Sequence, residues 1–249
     1  MQARKRYVVG NWKMNGDYAL VMRMLAALRA AGPFQRAVPV ICPPFTLLHA
    51  FADLRGVGEL GAQDCSAAEQ SARTGDISAI MLVEQQCKFV IVGHSEQRQY
   101  YGCTDEDVAA KAAMAAAAGL VPIICVGETL AQRRAGEAET TVEAQVKAAL
   151  GTVKTENIII AYEPVWAIGT GYSAEPADIS RMHDVISEGV RTRGQDNVPV
   201  LYGGSVKPEY AVDILRLPGV DGVLVGASSL DSDQFIAIAK VAESLPFLK

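Results

Sequence analysis

Short apolar runs recur along the whole chain, and longer stretches with a helical spacing of apolar residues lie between them. The runs cover residues 7–12, 38–42, 60–63, 89–93, 121–127, 158–163, 198–203 and 222–226. Most are continuously apolar, which is typical of strands buried on both faces of a parallel sheet. The pattern therefore predicts eight strands in one parallel sheet.

The segments between the runs carry helix start and stop signals. Asp17 precedes a stretch with apolar residues on one helical face, and Gly32-Pro33 ends it. Further helices are predicted over 105–118, 139–150 and 175–193, each followed by a glycine. Repeated β-then-α units in 249 residues predict a (β/α)₈ barrel, class α/β, that forms a single domain over residues 1–249.

An open, doubly wound sheet is the alternative to the barrel. The first strand-to-helix turn, residues 10–16, lacks the G-x-G-x-x-G pattern, which argues against a dinucleotide-binding version of that sheet.

Composition excludes several classes of partner. The formal net charge is −5 with no basic run, so we expect neither nucleic acid nor an anionic membrane as a partner. No apolar run reaches the roughly 18 residues that a membrane span needs. The five cysteines are scattered without a C-x-x-C pair, which predicts reduced thiols in a cytoplasmic protein. We predict no metal site and no cofactor.

The carboxyl ends of the predicted strands carry polar residues, and in such barrels these ends form the active site. The residues there include Asn11, Lys13, Gln63, His94, Ser95, Glu96, Glu128 and Glu163. Glu163 is followed by Pro164-Val-Trp166 and a Gly-Thr-Gly tip, which suggests a general base beneath a closing lid. An isolated glutamate is usually solvated, but polar residues at most of the strand ends favour a site.

Two turns rich in small residues follow the last two strands, Gly203-Gly204-Ser205 and Gly226-Ala227-Ser228. Small residues let backbone N–H groups approach an anion, so we expect a phosphate ester here. The alternative is that these glycines only turn the chain. Lys13 adds a positive charge near the same mouth, although most lysines are simply exposed.

These residue types predict a proton transfer. Glu163 would abstract a proton α to a carbonyl, and exclusion of water by the lid would strengthen the charge interactions inside. His94 is a candidate electrophile or proton shuttle, the alternative being a hydrogen-bonded core histidine. Lys13, Asn11 and His94 would stabilise the enediolate.

The chain resembles the triosephosphate isomerase family over nearly its whole length. The matching pieces are Gly10-Asn-Trp-Lys-Met-Asn15, Gly61-Ala-Gln63, Thr74-Gly75, Val92-Gly-His-Ser-Glu96, Cys125-Val-Gly-Glu-Thr129, Ala161-Tyr-Glu-Pro-Val-Trp-Ala-Ile-Gly-Thr-Gly171, Tyr202-Gly-Gly-Ser-Val206 and Asp221-Gly222 with Leu224-Val225-Gly226. The resemblance implies interconversion of dihydroxyacetone phosphate and D-glyceraldehyde 3-phosphate in glycolysis and gluconeogenesis.

The resemblance also implies residue roles. Glu163 would be the base and neutral His94 the electrophile, while Lys13 and Asn11 would hold the substrate and Glu96 would support Lys13. The N–H groups that would bind the phosphate are those of Gly169, Ser205, Gly226 and Ala227. The loop 65–76, which begins at Cys65 and ends at Asp76, resembles the one that inserts Thr74 into a partner subunit, which implies a homodimer.

The chain departs from the family pattern at several positions, namely Gln97, Cys103, Ala227 and the end of the lid, where Tyr172 and Ser173 replace Lys and Thr. None of them removes a predicted catalytic group. Two other functions are alternatives, a barrel aldolase that works through a Schiff base and a non-catalytic homologue. The aldolase needs a lysine inside a late strand, and the homologue would have lost Glu163, His94 or Lys13; neither condition is met.

Overall fold

The structure is a closed barrel of eight parallel strands, each paired with the next and β8 paired with β1. This computed structural model describes residues 4–54, 56–153, 157–168, 174–195 and 197–248, without the side chains of residues 52 and 53. The strands are β1 Arg6–Asn11, β2 Ala37–Cys42, β3 Glu59–Ala62, β4 Phe89–Val92, β5 Val121–Val126, β6 Ile159–Tyr162, β7 Val200–Tyr202 and β8 Gly222–Val225. The barrel prediction is confirmed, and the open-sheet alternative is excluded by the pairing of β1 with β8.

Helices follow the strands and cover the outside of the barrel. They are α1 Tyr18–Ala31, α2 Ala79–Glu84, α3 Ser95–Tyr101, α4 Asp105–Ala117, α5 Leu130–Arg134, α6 Ala138–Thr152, α7 Pro176–Arg191, α8 Ala211–Leu215 and α9 Ser232–Ser244, among the described residues. Segments of 3₁₀ helix cover Phe45–Leu54, Val165–Ala167 and Ala227–Leu230. Within the described ranges, no helix is both long and apolar enough to cross a membrane.

The helix boundaries follow local signals. The Asp17 side chain accepts the N–H of Leu20 and so caps α1, and Thr104 caps α4 by the same type of bond to Asp107. The predicted stop at Gly151 was wrong, because α6 continues to Thr152. Gly151 has no atom within 4 Å of an added Cβ, so the helix tolerates it at the cost of backbone entropy.

Two apolar layers explain why the strands are continuously apolar. One set of strand residues forms a cluster in the barrel interior, consisting of Val9, Val40, Cys42, Phe89, Ile91, Ile123, Cys125, Ile159, Ala161, Leu201 and Leu224. Their neighbours along the strands, such as Val8 and Val90, pack in a larger cluster with the helices. Because both faces are buried, the carboxyl ends of the strands are where polar groups can converge.

Candidate functional site

A cavity of about 220 Å³ lies at the carboxyl ends of the strands. The predicted residues that line it are Asn11, Lys13, His94, Glu163, Ser205, Gly226 and Ala227. Glu96 is not among the lining residues, and it contacts Lys13 beside the cavity. Gly169, predicted to bind phosphate, and Tyr172 lie outside the described residues. The structure thus brings groups from β1, β4, β6, β7 and β8 to one place.

Glu163 directly follows β6, and its side chain is almost fully buried. One carboxylate oxygen accepts the backbone N–H of Ser95 at 2.8 Å. The other lies 2.9 Å from Nε2 of His94. Both oxygens are therefore held by groups at the start of α3, so the carboxylate rests against the imidazole.

The backbone of α3 defines the tautomer of His94. Its Nδ1 lies 3.2 Å from the backbone N–H of Glu96 and accepts that hydrogen bond. An acceptor nitrogen carries no proton, so the proton is on Nε2, which faces Glu163. The resting arrangement is thus a neutral imidazole that donates to a carboxylate.

Burial and pairing act in opposite directions on both groups. Burial by itself raises the pKa of Glu163, but His94, the Ser95 N–H and the Cys125 thiol outweigh it, so this pKa lies below its ordinary value. Burial by itself lowers the pKa of His94, and the charge of Glu163 outweighs it, so that pKa lies above its ordinary value. Each partner therefore sets the proton affinity of the other.

Cys125 was missed as a functional residue, because its apolar strand predicts only a small buried side chain. It is buried near the end of β5, and burial together with the nearby carboxylate of Glu163 raises the pKa of its thiol well above the ordinary value. The signal that could have revealed it is its place, since β5 neighbours β6 and Cys125 pairs in register with Ala161, two residues before Glu163.

Lys13 has a left-handed backbone with φ of 52°, which is unfavourable for a residue with a side chain. Hydrogen bonds hold it there: Asn11 Oδ1 accepts the Lys13 N–H at 3.0 Å, and Gln63 donates to the Lys13 carbonyl at 2.9 Å. The ammonium lies 2.7 Å from Glu96. This strained conformation fixes the direction in which Lys13 leaves the strand, and no sequence pattern indicated it.

The segment after Glu163 is anchored by a second buried carboxylate. Glu128 is fully buried and accepts the indole N–H of Trp166 at 2.7 Å and the hydroxyl of Tyr162 at 3.2 Å. Arg133 lies 3.5 Å from the same carboxylate, and its guanidinium lies over the Trp166 ring. The start of the predicted lid is therefore tied to the end of β5.

Close packing beneath Glu163 requires glycine at position 127. A Cβ added to Gly127 would lie 1.7 Å from the carbonyl oxygen of Glu163. Glu163 N–H also donates to Val126 O at 2.7 Å, which brings the two strand ends together. Any side chain at 127 would displace the backbone that carries the carboxylate.

The opposite wall of the cavity is formed by the turns after β7 and β8. It contains Gly203, Gly204, Ser205, Gly226 and Ala227, with Lys207 at its edge. Among the described non-glycine residues, only Lys13 and Gln86 have positive φ, so Ala227 adopts an ordinary conformation. Lys207 was not predicted as a lining residue, since it lies beyond the glycine turn in the sequence.

Gln97 and Cys103, two of the departures from the family pattern, are both partly exposed in the isolated chain. The Cys103 N–H donates to the Gln97 carbonyl at 3.2 Å. The neighbouring Arg98 binds Asp105 at 2.5 Å and the carbonyl of Gly93 at 3.0 Å. The contact between positions 97 and 103 in this chain is thus through the backbone.

Fold and site together define a class of protein. It is a (β/α)₈-barrel protein with a carboxylate, an imidazole and an ammonium group around one cavity, which is also lined by turns rich in glycine and other small residues. Such a set of groups suits proton transfer on a small anionic molecule.

Comparisons with known proteins identify the family within this class. The triosephosphate isomerase family profile matches residues 6–242. A triosephosphate isomerase of Granulibacter bethesdensis is 47% identical over 247 residues, which cover 96% of this chain and 99% of that protein. One from Halorhodospira halophila is 46% identical and covers 96% and 98%. The crystal structure of triosephosphate isomerase from Bartonella henselae has a TM-score of 0.87 at 40% identity, covering 95% of this chain and 98% of the other. The chain belongs to the triosephosphate isomerase family.

Proposed function

We propose that the cavity at the carboxyl ends of the strands is the active site, where dihydroxyacetone phosphate and D-glyceraldehyde 3-phosphate interconvert through an enediolate. The observation that carries the proposal is the contact between the buried Glu163 carboxylate and His94 Nε2, at 2.9 Å, in the wall of this cavity. A general base and a general acid lie together where a small substrate fits.

The substrate separates this pair. Glu163 is the base, and it must leave His94 to reach a proton on carbon. Its departure frees the Nε2 proton of His94 for the substrate oxygen. Leaving His94 and Ser95 also removes contacts that lower the pKa of Glu163, while burial, which raises it, remains. The carboxylate therefore becomes a stronger base as it engages the substrate.

Other residues hold the charge that develops. Lys13 and Asn11 line the cavity and stabilise the enediolate oxygens. Glu96 positions Lys13 through their 2.7 Å ion pair. The backbone N–H groups of Ser205, Gly226 and Ala227 bind the phosphate. The family resemblance adds the N–H of Gly169, which lies outside the described residues.

No lysine lies within any of the eight described strands, which disfavours a Schiff-base aldolase. The test is a coupled assay with glyceraldehyde 3-phosphate on the parent and on Glu163→Gln. The variant keeps the size of the side chain but accepts no proton, so kcat falls by at least about 10²-fold, in the range typical of general-base catalysis. Glu106→Gln, the same change at an exposed glutamate that does not line the cavity, is the matched control and retains parental activity. An active Glu163→Gln variant, within about tenfold of the parent, contradicts the assignment.

We also propose that two copies of the chain form a homodimer through the loop 65–76. The loop is closed at its base by Ser66, which donates to Asp76 at 3.0 Å and to the Ile77 carbonyl at 2.8 Å. Large exposed apolar side chains occur on the neighbouring elements, namely Met14, Phe45, Ile80, Met81, Val83, Tyr100 and Tyr101. Exposed apolar patches of this kind typically mark interfaces.

Light scattering at several protein concentrations tests the dimer. Thr74→Arg, within the loop, is expected to shift the measured molar mass toward that of one chain. Arg193→Gln, just after α7, is expected to leave the molar mass unchanged. A monomeric parent overturns the proposal.

The five free cysteines support a reducing, cytoplasmic location.

A further inference from the structure

Gly127 is the residue through which the end of β5 meets the backbone of Glu163. The three atoms nearest to a Cβ added at Gly127 are the carbonyl oxygen, carbonyl carbon and Cα of Glu163, at 1.7, 2.7 and 3.3 Å. The two main chains therefore pack directly against each other, with no side chain between them to absorb a displacement. A shift of Gly127 passes to the residue that carries the carboxylate.

The residues on either side of Gly127 bind the segment that follows β6. The carbonyl of Val126 accepts the Glu163 N–H at 2.7 Å, and the carbonyl of Glu128 accepts the Val165 N–H at 3.2 Å. Successive residues of a strand turn their backbone groups to opposite neighbours. The N–H and the carbonyl of Gly127 therefore point away from β6, toward the other side of β5.

The strand on that other side has ended before it reaches Gly127. The pairing of β4 with β5 stops at Val92 and Ile124, and the chain then turns into α3. Gly127 is half-buried, and backbone groups in such a place need a partner from a side chain or from water.

The side chain of Gln145 supplies both partners from helix α6. Its Oε1 accepts the Gly127 N–H at 2.7 Å, and its Nε2 donates to the Gly127 carbonyl at 3.2 Å. A glutamine amide carries an acceptor and two donors, so one side chain binds both backbone groups as a neighbouring strand would. Two bonds fix Gly127 more tightly than one bond or an exchanging water.

Helix α6 gives this amide a fixed support. The buried face of the helix contains Val142, Val146, Ala149 and Leu150. Gln145 follows Val142 by three residues, which places it at the edge of this buried face. Packing of α6 on the barrel therefore holds the amide against the end of β5.

We propose that Gln145 is a positioning residue, which through Gly127 fixes the backbone that carries the carboxylate of Glu163. The inference rests on the proposed function, in which that carboxylate is the base. Gln145 does not line the cavity, so it acts without touching the substrate. A displacement of about 1 Å at the reacting groups can lower a rate by about 10²-fold, so a residue at this distance can govern kcat.

The test is Gln145→Met, which keeps the length of the side chain and removes both bonds. We expect kcat with glyceraldehyde 3-phosphate to fall by at least about tenfold and KM to stay within about twofold, because the turns after β7 and β8 are untouched. NMR titration of His94 needs no substrate. Its pKa is expected to fall, since the charge of Glu163 raises it and a displaced carboxylate does so less.

Val146→Ala is the matched control. Val146 is the next residue of α6 and is buried against Gly189 of α7, so the change weakens the packing of the helix and leaves the bonds to Gly127 in place. It is expected to lower the Tm and to leave kcat and the His94 pKa at their parental values.

Gln145→Asn serves if Gln145→Met does not fold, since it stays polar but is one methylene too short to make both bonds. Parental kcat in a folded Gln145 variant overturns the proposal. A lower kcat with an unchanged His94 pKa also overturns it, because the carboxylate would not have moved. So does an equal loss of kcat in Val146→Ala. A parent without isomerase activity would contradict the proposed function instead, and the His94 titration alone would then decide whether Gln145 positions the carboxylate.

Discussion

Trp166 donates its indole N–H to the carboxylate of Glu128 across 2.7 Å, and this carboxylate is fully buried. The bond joins the segment that follows the proposed base to the end of the neighbouring strand. One oxygen of Glu128 is buried without a partner among the described residues, so the carboxylate depends on the donors that it has.

Trp166→Phe removes that donor and leaves much of the ring. We expect the free energy of unfolding to fall by about 1–3 kcal/mol, because a buried carboxylate loses a hydrogen bond. Denaturant unfolding at a fixed protein concentration measures it. In the Glu128→Gln background, Trp166→Phe is expected to lower the free energy of unfolding by less, because the carboxylate charge has been removed. An equal loss in both backgrounds would show that the indole contributes packing alone.

The pKa of His94 falls in Glu163→Gln. The charge of Glu163 raises this pKa and burial lowers it, and the variant removes the first influence while the second remains. NMR titration of the imidazole resonances measures the change. Glu96→Gln removes a weaker, more exposed influence and lowers the pKa less. An unchanged His94 pKa in Glu163→Gln would contradict the coupling of the two groups.

His183 makes stability depend on acidity. It is fully buried, and burial lowers its pKa from 6.5 to about 4. Its Nδ1 lies 2.9 Å from the Gly219 carbonyl, while its Nε2 is buried without a partner among the described residues. As the pH falls, His183 takes up a proton in the unfolded chain before it does so in the folded protein. The free energy of unfolding is therefore unaffected by His183 above pH 6.5 and decreases as the pH falls toward about 4.

The loss that His183 causes is about 3 kcal/mol across that window, at 1.36 kcal/mol per pKa unit. Unfolding measured at several pH values should show a shallower slope for His183→Gln between those limits. His49→Gln, at an exposed histidine, should retain the parental slope. Parallel slopes for His183→Gln and the parent would exclude His183 as the source.

Gly127→Ala is expected to cost about 1–3 kcal/mol of stability and to reduce kcat, because the new methyl meets the carbonyl of Glu163 at 1.7 Å. Gly151→Ala is the matched control. Position 151 is helical with open space around an added Cβ, so it gains about 0.5–1 kcal/mol. Unfolding curves and kcat values of both variants are compared with those of the parent. If Gly127→Ala changed neither stability nor kcat, the end of the strand would have to move freely to make room for the methyl group.

Ala227→Gly tests the proposed phosphate-binding turn after β8. The proposed contact is through the N–H, and Ala227 has no positive φ, so removing the methyl changes KM by no more than about threefold. Steady-state kinetics with glyceraldehyde 3-phosphate measures it. A much lower KM in the variant would mean that the methyl obstructs the phosphate.

The barrel could be predicted because its signals are local. Most apolar runs end at a polar or glycine residue, and the predicted strands match the observed ones to within one or two residues. Glu163, His94 and Lys13 follow from the strand ends. The features that sequence did not reveal depend on distant parts of the chain. The Cys125 thiol lies near Glu163, which follows the neighbouring strand, and a second cavity, lined by Arg4, is also lined by Leu248 and Arg216.

The left-handed backbone of Lys13 was hidden for a different reason. It results from hydrogen bonds with Asn11 and with Gln63, and Gln63 lies 50 residues away along the chain. Local propensity disfavours this conformation. Only the assembled barrel supplies the bonds that maintain it.

The contact between Glu163 and His94 has a consequence for how acidity governs catalysis. Two groups that share a proton this closely titrate together, so the free protein has two macroscopic constants that belong to neither residue alone. The pH profile of kcat/KM reports those joint constants, since it reflects the unliganded protein. In the proposed mechanism a bound substrate separates the two side chains, so the profile of kcat is expected to report an uncoupled carboxylate and imidazole. The difference in pH units between the two profiles therefore measures how strongly His94 holds the Glu163 carboxylate in the unliganded protein.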